Sequence, residues 1–147
     1  MAPTAKIREL GARAEAITAT WLATQGYAIV ARNLRLGELE IDVVARRGPV
    51  IAVVEVRTRG PGAFTSSFGS IDAGKRLRIR RAGERLWQRR YRHDRSVERL
   101  RFDVASVNLD AQPPSIEYDA SPIRGPRSRP RAPAHTFRAH PNNEQVA

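Results

Sequence analysis

Two short runs of β-branched and apolar residues, separated by a Gly-Pro turn, each carry a carboxylate near their centre. The first run spans 39–46 and contains Asp42, and the second spans 50–57 and contains Glu55. Their composition and the turn between them predict a hairpin of two strands. A carboxylate in such a strand is costly to bury unless a cation compensates it. These two acids therefore constrain the fold more than any other feature of the chain.

Side chains alternate along a strand, so Glu40 and Asp42 share one face, and Glu55 and Arg57 share one face of the next strand. If both faces lie on the same side, Asp42, Glu55 and Arg57 converge into a candidate site for Mg²⁺ or Mn²⁺. The alternative is a cross-strand ion pair in which Arg57 or a nearby arginine satisfies both acids. The residue types alone do not decide between the metal site and the ion pair. Glu40 is either a further ligand or a partner for Arg57.

The remaining elements follow from apolar periodicity and from turn residues. We predict a helix over 6–24, a short strand over 27–33, a loop over 58–70, a helix capped by Asp72, a strand over 100–105 and a short edge strand over 115–118. This order predicts an α/β sandwich with a mixed sheet. Trp21, Trp87 and Phe102 fall at core spacing and are interpreted as packing residues.

The positive charge of the chain is concentrated in one segment. The chain has a net charge of +11, and the segment 74–101 holds 12 cations against three anions. Guanidinium groups match phosphate oxygens, which makes a nucleic-acid backbone the expected partner. The alternative is a solvated helix face in an arginine-rich protein. The candidate nucleic-acid-binding residues are Lys75, Arg76, Arg78, Arg80, Arg81 and Arg85.

Composition also bounds the domain organisation. We predict one domain over 1–120 and a disordered tail rich in proline and arginine over 121–147, where apolar residues are too few to offset the entropy of ordering. The chain has no cysteine, which excludes a disulfide or a thiolate nucleophile and fits a reducing compartment. No apolar stretch is long enough to span a bilayer, so we expect a cytoplasmic protein with no membrane partner.

The Asp-X12-Glu-X-Arg spacing resembles the Asp…(Asp/Glu)-X-Lys signature of restriction-endonuclease-like metal nucleases. The surrounding residues resemble the bacterial YraN family, which is related in fold to archaeal Holliday-junction resolvases. The matching pieces lie in order over about 7–107: Gly11-X3-Glu15-X2-Thr18, Gly26-Tyr27, Arg32-Asn33, Glu40-Ile41-Asp42, Val54-Glu55-Val56-Arg57, Lys75 and Arg101-Phe102-Asp103-Val104.

This resemblance implies a restriction-endonuclease-like, three-layer α/β core, with a mixed sheet flanked by helices. It implies that Asp42 and Glu55 hold Mg²⁺ or Mn²⁺, which lowers the pKa of a bound water. Glu15 stands where the related nucleases carry an additional acidic ligand, although a polar residue on an amphipathic helix commonly faces solvent. Lys75 matches a lysine of the family and contributes either a cation to the site or one more phosphate contact.

Two positions depart from the family pattern. Arg57 stands where lysine is usual; it stays protonated and cannot act as a general base, but it can stabilise negative charge in the transition state. The arginine at this position therefore leaves three outcomes open: catalytic activity is retained, weakened or lost. Thr65 follows Phe64 where the family tends to have glycine, in a loop expected to contact nucleic acid. Asp103 is interpreted as a structural partner of an arginine, and the three histidines form no ligand set.

Two functions follow, with a third of less weight. The first is a Mg²⁺- or Mn²⁺-dependent endonuclease acting on DNA, with branched or single-stranded DNA as candidate substrates and Asp42, Glu55 and Arg57 as the catalytic residues. Because resolvases act as dimers, the resemblance makes a homodimer possible. The second function is a nuclease fold with a weakened site that binds nucleic acid without cutting it. The third is a basic protein that binds structured RNA or another protein.

Overall fold

The described part of the chain forms one five-stranded mixed sheet with a helix packed against each face. A computed structural model describes residues 3–59 and 72–128. Its elements are α1 (Pro3–Thr24), β1 (Ala28–Leu36), β2 (Leu39–Arg47), β3 (Val50–Arg59), α2 (Ala73–Leu86), which continues into a π-helical turn (Trp87–Tyr91), β4 (Arg99–Asn108) and β5 (Ser115–Arg127). The predicted α/β class and mixed sheet are confirmed.

The strands lie in the order β1-β2-β3-β4-β5. β1, β2 and β3 form an antiparallel meander, and the predicted hairpin brings Val43 opposite Val54. β4 runs parallel to β3 because α2 provides the crossover between them, and β5 returns antiparallel to β4. The two acid-bearing strands therefore lie side by side near the middle of the sheet.

Alternation along the strands divides the core into two layers. Val44, Ile51 and Val53 face α2, where they pack with Leu86 and Trp87. The intervening residues face α1 and form a second cluster with Leu22 and Tyr27; they include Val43, Ala45, Ala52 and Val54. The sheet is thus buried on both faces, which accounts for the nearly continuous apolar sequence of its central strands.

α1 begins three residues earlier than predicted and ends at Thr24, as predicted. Its buried positions are Ala14, Thr18 and Leu22, spaced four residues apart, whereas the side chain of Ile7 near its start is 67% exposed. Thr18 fits the apolar interface because its hydroxyl donates to the Ala14 carbonyl at 2.9 Å. No helix in the described part of the chain has the length and apolar character needed to cross a membrane.

α2 begins where its cap predicts. The carboxylate of Asp72 accepts a hydrogen bond from the backbone N–H of Lys75 at 2.8 Å. Further along, α2 approaches the sheet very closely at Gly83, where a Cβ would lie 2.3 Å from Cε1 of Phe102. The absence of a side chain at Gly83 therefore sets the distance between this helix and β4. Trp87 and Phe102 are buried, as predicted, and half-buried Trp21 packs against Tyr118.

β5 extends beyond the expected edge strand and beyond residue 121, where the sequence predicts a disordered tail. It continues to Arg127, which pairs with Arg99, and the hydroxyl of Ser128 donates to the Val97 carbonyl. This corrects the expectation for 121–127, since these residues continue β5 and pair with β4. The rest of the predicted tail, 129–147, lies outside the described residues, as does most of the predicted loop, including Phe64 and Thr65.

Candidate functional site

Asp42 and Glu55 occupy neighbouring positions where the β2–β3 ladder ends. The last pair of that ladder is Val43 with Val54, and one residue further along each strand are Asp42 and Glu55. Because Val44 and Val53 face α2, alternation places both acids on the α2 side of the sheet. The convergence predicted from the sequence is therefore present for these two residues.

The Asp42 carboxylate accepts a hydrogen bond from a backbone N–H group of β3, in the role that a carbonyl of a neighbouring strand usually has. Its Oδ2 accepts a hydrogen bond from the N–H of Val56 at 2.8 Å. Burial and the negative charge of Glu55 raise the pKa of Asp42 to about 7, against the lowering effect of the Val56 hydrogen bond. A carboxyl held so far above its usual range is typical of functional sites.

Glu55 is paired with a cation from α2. Its Oε1 lies 2.7 Å from Nζ of Lys75, and the Glu55 side chain is only 12% exposed. The Asp72 cap fixes the backbone of Lys75 in the first turn of α2, directly over this part of the sheet. Sequence reasoning considered Lys75 as a site cation, but it did not identify Glu55 as its partner.

Glu15, on the other helix, acts on Asp42 through its charge. It is half-buried on α1, and its negative charge contributes to the raised pKa of Asp42. Across residues 3–59 and 72–128, no group of three or more histidine, aspartate or glutamate side chains is arranged to hold a metal ion. The acidic centre is therefore the pair Asp42 and Glu55, with Glu15 close enough to act through its charge.

Arg57 lies on β3 two residues beyond Glu55, on the same face, and pairs in register with Ser106 of β4. Its side chain is half-buried. The catalytic role assigned to Arg57 from the sequence stays a prediction.

A pocket of about 410 Å³ opens beside the two acids. Its lining combines carboxylates and cations: Glu38, Leu39, Glu40, Asp42, Glu55, Lys75, Arg78 and Ile79. Glu40 is exposed and lines this pocket, as its predicted face requires. Glu38 is a lining residue that sequence reasoning missed, because it lies at the start of the hairpin rather than at a strand centre.

The exposed cations of α2 continue from this pocket along the helix. Arg78 lines the acidic pocket, while Arg81, Arg85 and Arg89 line a second groove of about 460 Å³ together with Glu84 and Gln88. Arg85 also donates to the Leu36 carbonyl at 2.9 Å, which anchors the helix to the end of β1. Arg80 is exposed as well, whereas Arg76 is half-buried with its Nε in the interior.

Arg101, counted in the basic segment, belongs to the core instead. It is 9% exposed and pairs with fully buried Asp103 through two hydrogen bonds, of 2.8 and 2.7 Å. Tyr27 accepts from Arg101, and Tyr118 donates to Asp103. The predicted structural role of Asp103 is confirmed. Burial and the Asp103 charge raise the pKa of Tyr118, so its hydroxyl stays protonated as a donor.

Similarity to known proteins also bears on this site. The family model described as "Uncharacterised protein family UPF0102" matches residues 14–107, a span that contains Glu15, Asp42, Glu55 and Lys75. A UPF0102 protein of Sorangium cellulosum is 62% identical over 102 residues, covering 69% of this chain and 71% of the relative. A UPF0102 protein of Moorella thermoacetica is 43% identical over 105 residues, covering 71% of this chain and 85% of the relative.

Proposed function

Because this chain belongs to the UPF0102 family, which is the YraN family, we propose that it is a Mg²⁺- or Mn²⁺-dependent endonuclease that acts on DNA. The observation that carries this proposal is the juxtaposition of Asp42 and Glu55 at the end of the β2–β3 ladder, in a pocket that also holds Lys75 and Arg78. Paired carboxylates beside fixed cations are the parts that metal-assisted phosphodiester hydrolysis requires.

The residues present fit a divalent cation. Mg²⁺ keeps several waters and is commonly bound through one or two carboxylates together with substrate phosphate, so Asp42 and Glu55 are a sufficient protein ligand set. The raised pKa of Asp42 reflects repulsion by Glu55 and Glu15 in addition to burial, and a divalent cation relieves that repulsion. When bound, the ion supplies an acidic water and neutralises charge on the phosphate.

The chain's own cations position the substrate and stabilise charge. In the proposed site the guanidinium of Arg57 stabilises the negative charge that develops on the phosphate. Arg78, Arg81 and Arg85 follow one side of α2 away from the acidic pocket, so they contact successive phosphates of the strand whose scissile phosphate lies beside Asp42. Arg80 and Lys75 add positive charge to the same helix.

The order of elements supports the finer fold assignment within this proposal. α1, the three-stranded meander, the α2 crossover and the parallel strand β4 follow the order expected for the restriction-endonuclease-like core. The relation to resolvases extends the proposal to a cytoplasmic homodimer acting on branched DNA. Sedimentation of the protein with and without a four-way junction tests the dimer separately from the chemistry.

A cleavage assay tests the function. Labelled duplex, single-stranded and four-way-junction DNA are incubated with Mg²⁺, Mn²⁺ or EDTA and with wild-type protein, Asp42→Asn or Glu55→Gln. We expect metal-dependent cleavage that both substitutions reduce by about 10²-fold or more. Glu98→Gln, at an exposed acid beside the opposite end of β3, is the matched control and keeps full activity.

One observation favours a second candidate, a nuclease fold that binds DNA without cutting it. Lys75 already neutralises Glu55, and arginine replaces the usual lysine at position 57. Under this alternative, the wild-type protein binds DNA in a salt-sensitive manner with no cleavage in either metal. Asp42→Asn then leaves binding unchanged.

A further inference from the structure

We infer that Lys75, from the first turn of α2, supplies the ammonium group that contacts the phosphate in this site, in place of the lysine that the signature carries two residues after the glutamate. The inference rests on the proposed function, since it names which cation serves the same site. It assigns Lys75 to the reacting centre rather than to the outer row of phosphate contacts on α2.

Lys75 differs from Arg57 in that it lines the pocket that contains both acids. Lys75 Nζ lies 2.7 Å from Oε1 of Glu55, and Lys75 lines the pocket beside Asp42. Among the described residues, the cations that line this pocket are Lys75 and Arg78. Arg57, two residues further along β3, is not among the residues that line this pocket.

The ammonium group of a lysine can bridge the Glu55 carboxylate and a phosphate oxygen. A lysine carries three N–H donors on a compact charge, so one donor can hold Glu55 while the others meet a phosphate oxygen. The Lys75 side chain is 41% exposed, which leaves those donors accessible, whereas Glu55 is 12% exposed. The Asp72 cap fixes the backbone N–H of Lys75 at 2.8 Å, so the stem of the side chain starts from an ordered position.

In the proposed step Lys75 acts through its charge and transfers no proton. The water oxygen bonds to phosphorus while the bond from phosphorus to the leaving sugar oxygen breaks. One water proton passes to solvent, and the leaving oxygen takes a proton from solvent, so the step is balanced. Lys75 stabilises the charge that builds on the non-bridging phosphate oxygen.

The composition of the chain permits a direct test by NMR. The chain contains two lysines, Lys6 and Lys75, so ¹⁵N-lysine labelling gives two ammonium signals that Lys6→Arg assigns. Duplex or four-way-junction DNA is added with Ca²⁺ in place of Mg²⁺, to observe binding without turnover. We expect the Lys75 signal to shift as DNA saturates the protein while the Lys6 signal, from an exposed residue near the start of α1, stays in place.

A Lys75 signal that does not move at saturating DNA overturns the inference, and an absence of DNA binding overturns it together with the proposed function. If DNA is cleaved while the signal stays fixed, the endonuclease stands and Lys75 is not its ammonium. If the signal shifts but no DNA is cut in Mg²⁺ or Mn²⁺, the phosphate contact stands and the endonuclease fails.

Chemical rescue separates a phosphate contact from a purely structural role. The chain has no cysteine, so Lys75→Cys introduces a single thiol that bromoethylamine converts into a lysine analogue. We expect cleavage to fall about 10²-fold in Lys75→Cys and to return after alkylation. Lys6→Cys, treated identically, is the matched control and keeps wild-type activity throughout. Full cleavage by unmodified Lys75→Cys, or no recovery in a variant whose circular dichroism matches the wild type, overturns the inference.

Discussion

Oδ2 of Asp42 accepts a hydrogen bond from the backbone N–H of Val56 at the point where β2 and β3 stop pairing. The carboxylate thus takes the place of a ladder carbonyl and holds the two strands together beyond their last pair. This hydrogen bond holds the half-buried Asp42 carboxyl next to Glu55, where burial and the neighbouring negative charge raise its pKa.

Replacing Asp42 with asparagine is expected to stabilise the metal-free protein at neutral pH. The amide oxygen still accepts from Val56, but the buried charge and its repulsion by Glu55 are removed. Since one pKa unit corresponds to about 1.4 kcal/mol, we expect a gain of roughly 1–3 kcal/mol in the free energy of unfolding. Urea denaturation in EDTA measures it, with exposed Asp110→Asn as a control that changes stability little.

The sign of the pH dependence follows from the same residue. The pKa of Asp42 rises from 3.8 to about 7 on folding, so between these values the folded protein binds the proton more tightly. A rise in pH through this window therefore lowers the free energy of unfolding of the wild type. The advantage of Asp42→Asn should grow from about pH 4 to about pH 7 and then level off. An advantage that is constant across this range would contradict the raised pKa.

Removing Arg101 is expected to destabilise the fold without removing a DNA contact. Arg101→Met leaves the fully buried Asp103 without its cation, which costs about 3–5 kcal/mol. Adding Asp103→Leu should recover much of that loss, because the unpaired charge is then absent. Urea midpoints measure both changes. A stable Arg101→Met variant with weakened DNA binding would instead place Arg101 at the nucleic-acid surface.

The exposed arginines of α2 are expected to determine DNA affinity through salt-dependent contacts. Arg78→Gln and Arg81→Gln should each weaken binding to all DNA sequences and reduce the slope of log affinity against log salt by about one. Neither residue is buried, so stability should change little. Arg95→Gln, an exposed arginine in the turn before β4, is the control in the same fluorescence titrations. Equal slopes for all three variants would exclude α2 as the contact surface.

Two glycine substitutions test how closely α2 packs on the sheet. In Gly83→Ala the new methyl group would lie 2.3 Å from Phe102, so we expect a loss of about 1–3 kcal/mol. Gly11→Ala makes the same change inside α1, where nothing lies within 4 Å of the new Cβ, and should gain about 0.5–1 kcal/mol. Opposite signs in thermal denaturation support the close contact, whereas two gains would contradict it.

Local pattern predicted the parts of the site that lie on adjacent strands. The alternation that places Asp42 and Glu55 on one face depends only on the hairpin register, which the Gly-Pro turn and the apolar runs specify. The Asp72 cap could also be predicted from the sequence, because a capping residue and the backbone N–H that it accepts from are only three residues apart. The pairing of Lys75 with Glu55 depends on how α2 crosses the sheet, and no spacing in the sequence encodes that crossing.

The number of basic residues in the segment 74–101 did not reveal which of its arginines are buried. Arg101 and the exposed Arg81 contribute equally to the basic segment, yet Arg101 pairs inside the core with Asp103. The Arg-X-Asp spacing within an apolar strand was the available signal, since residues two apart share a face. Composition likewise did not indicate that β5 continues over 121–127 and pairs with β4.

Both outer strands of the described sheet resist further strand addition. β1 carries a bulge between Ile29 and Ala31 and a left-handed residue, Asn33, while β5 contains Pro122 and Pro126, which lack an amide donor. Bulges and edge prolines are features that protect sheet margins against unwanted self-association. If two copies of the chain associate, a continuous ten-stranded sheet across them, twice the five strands of one, is therefore disfavoured.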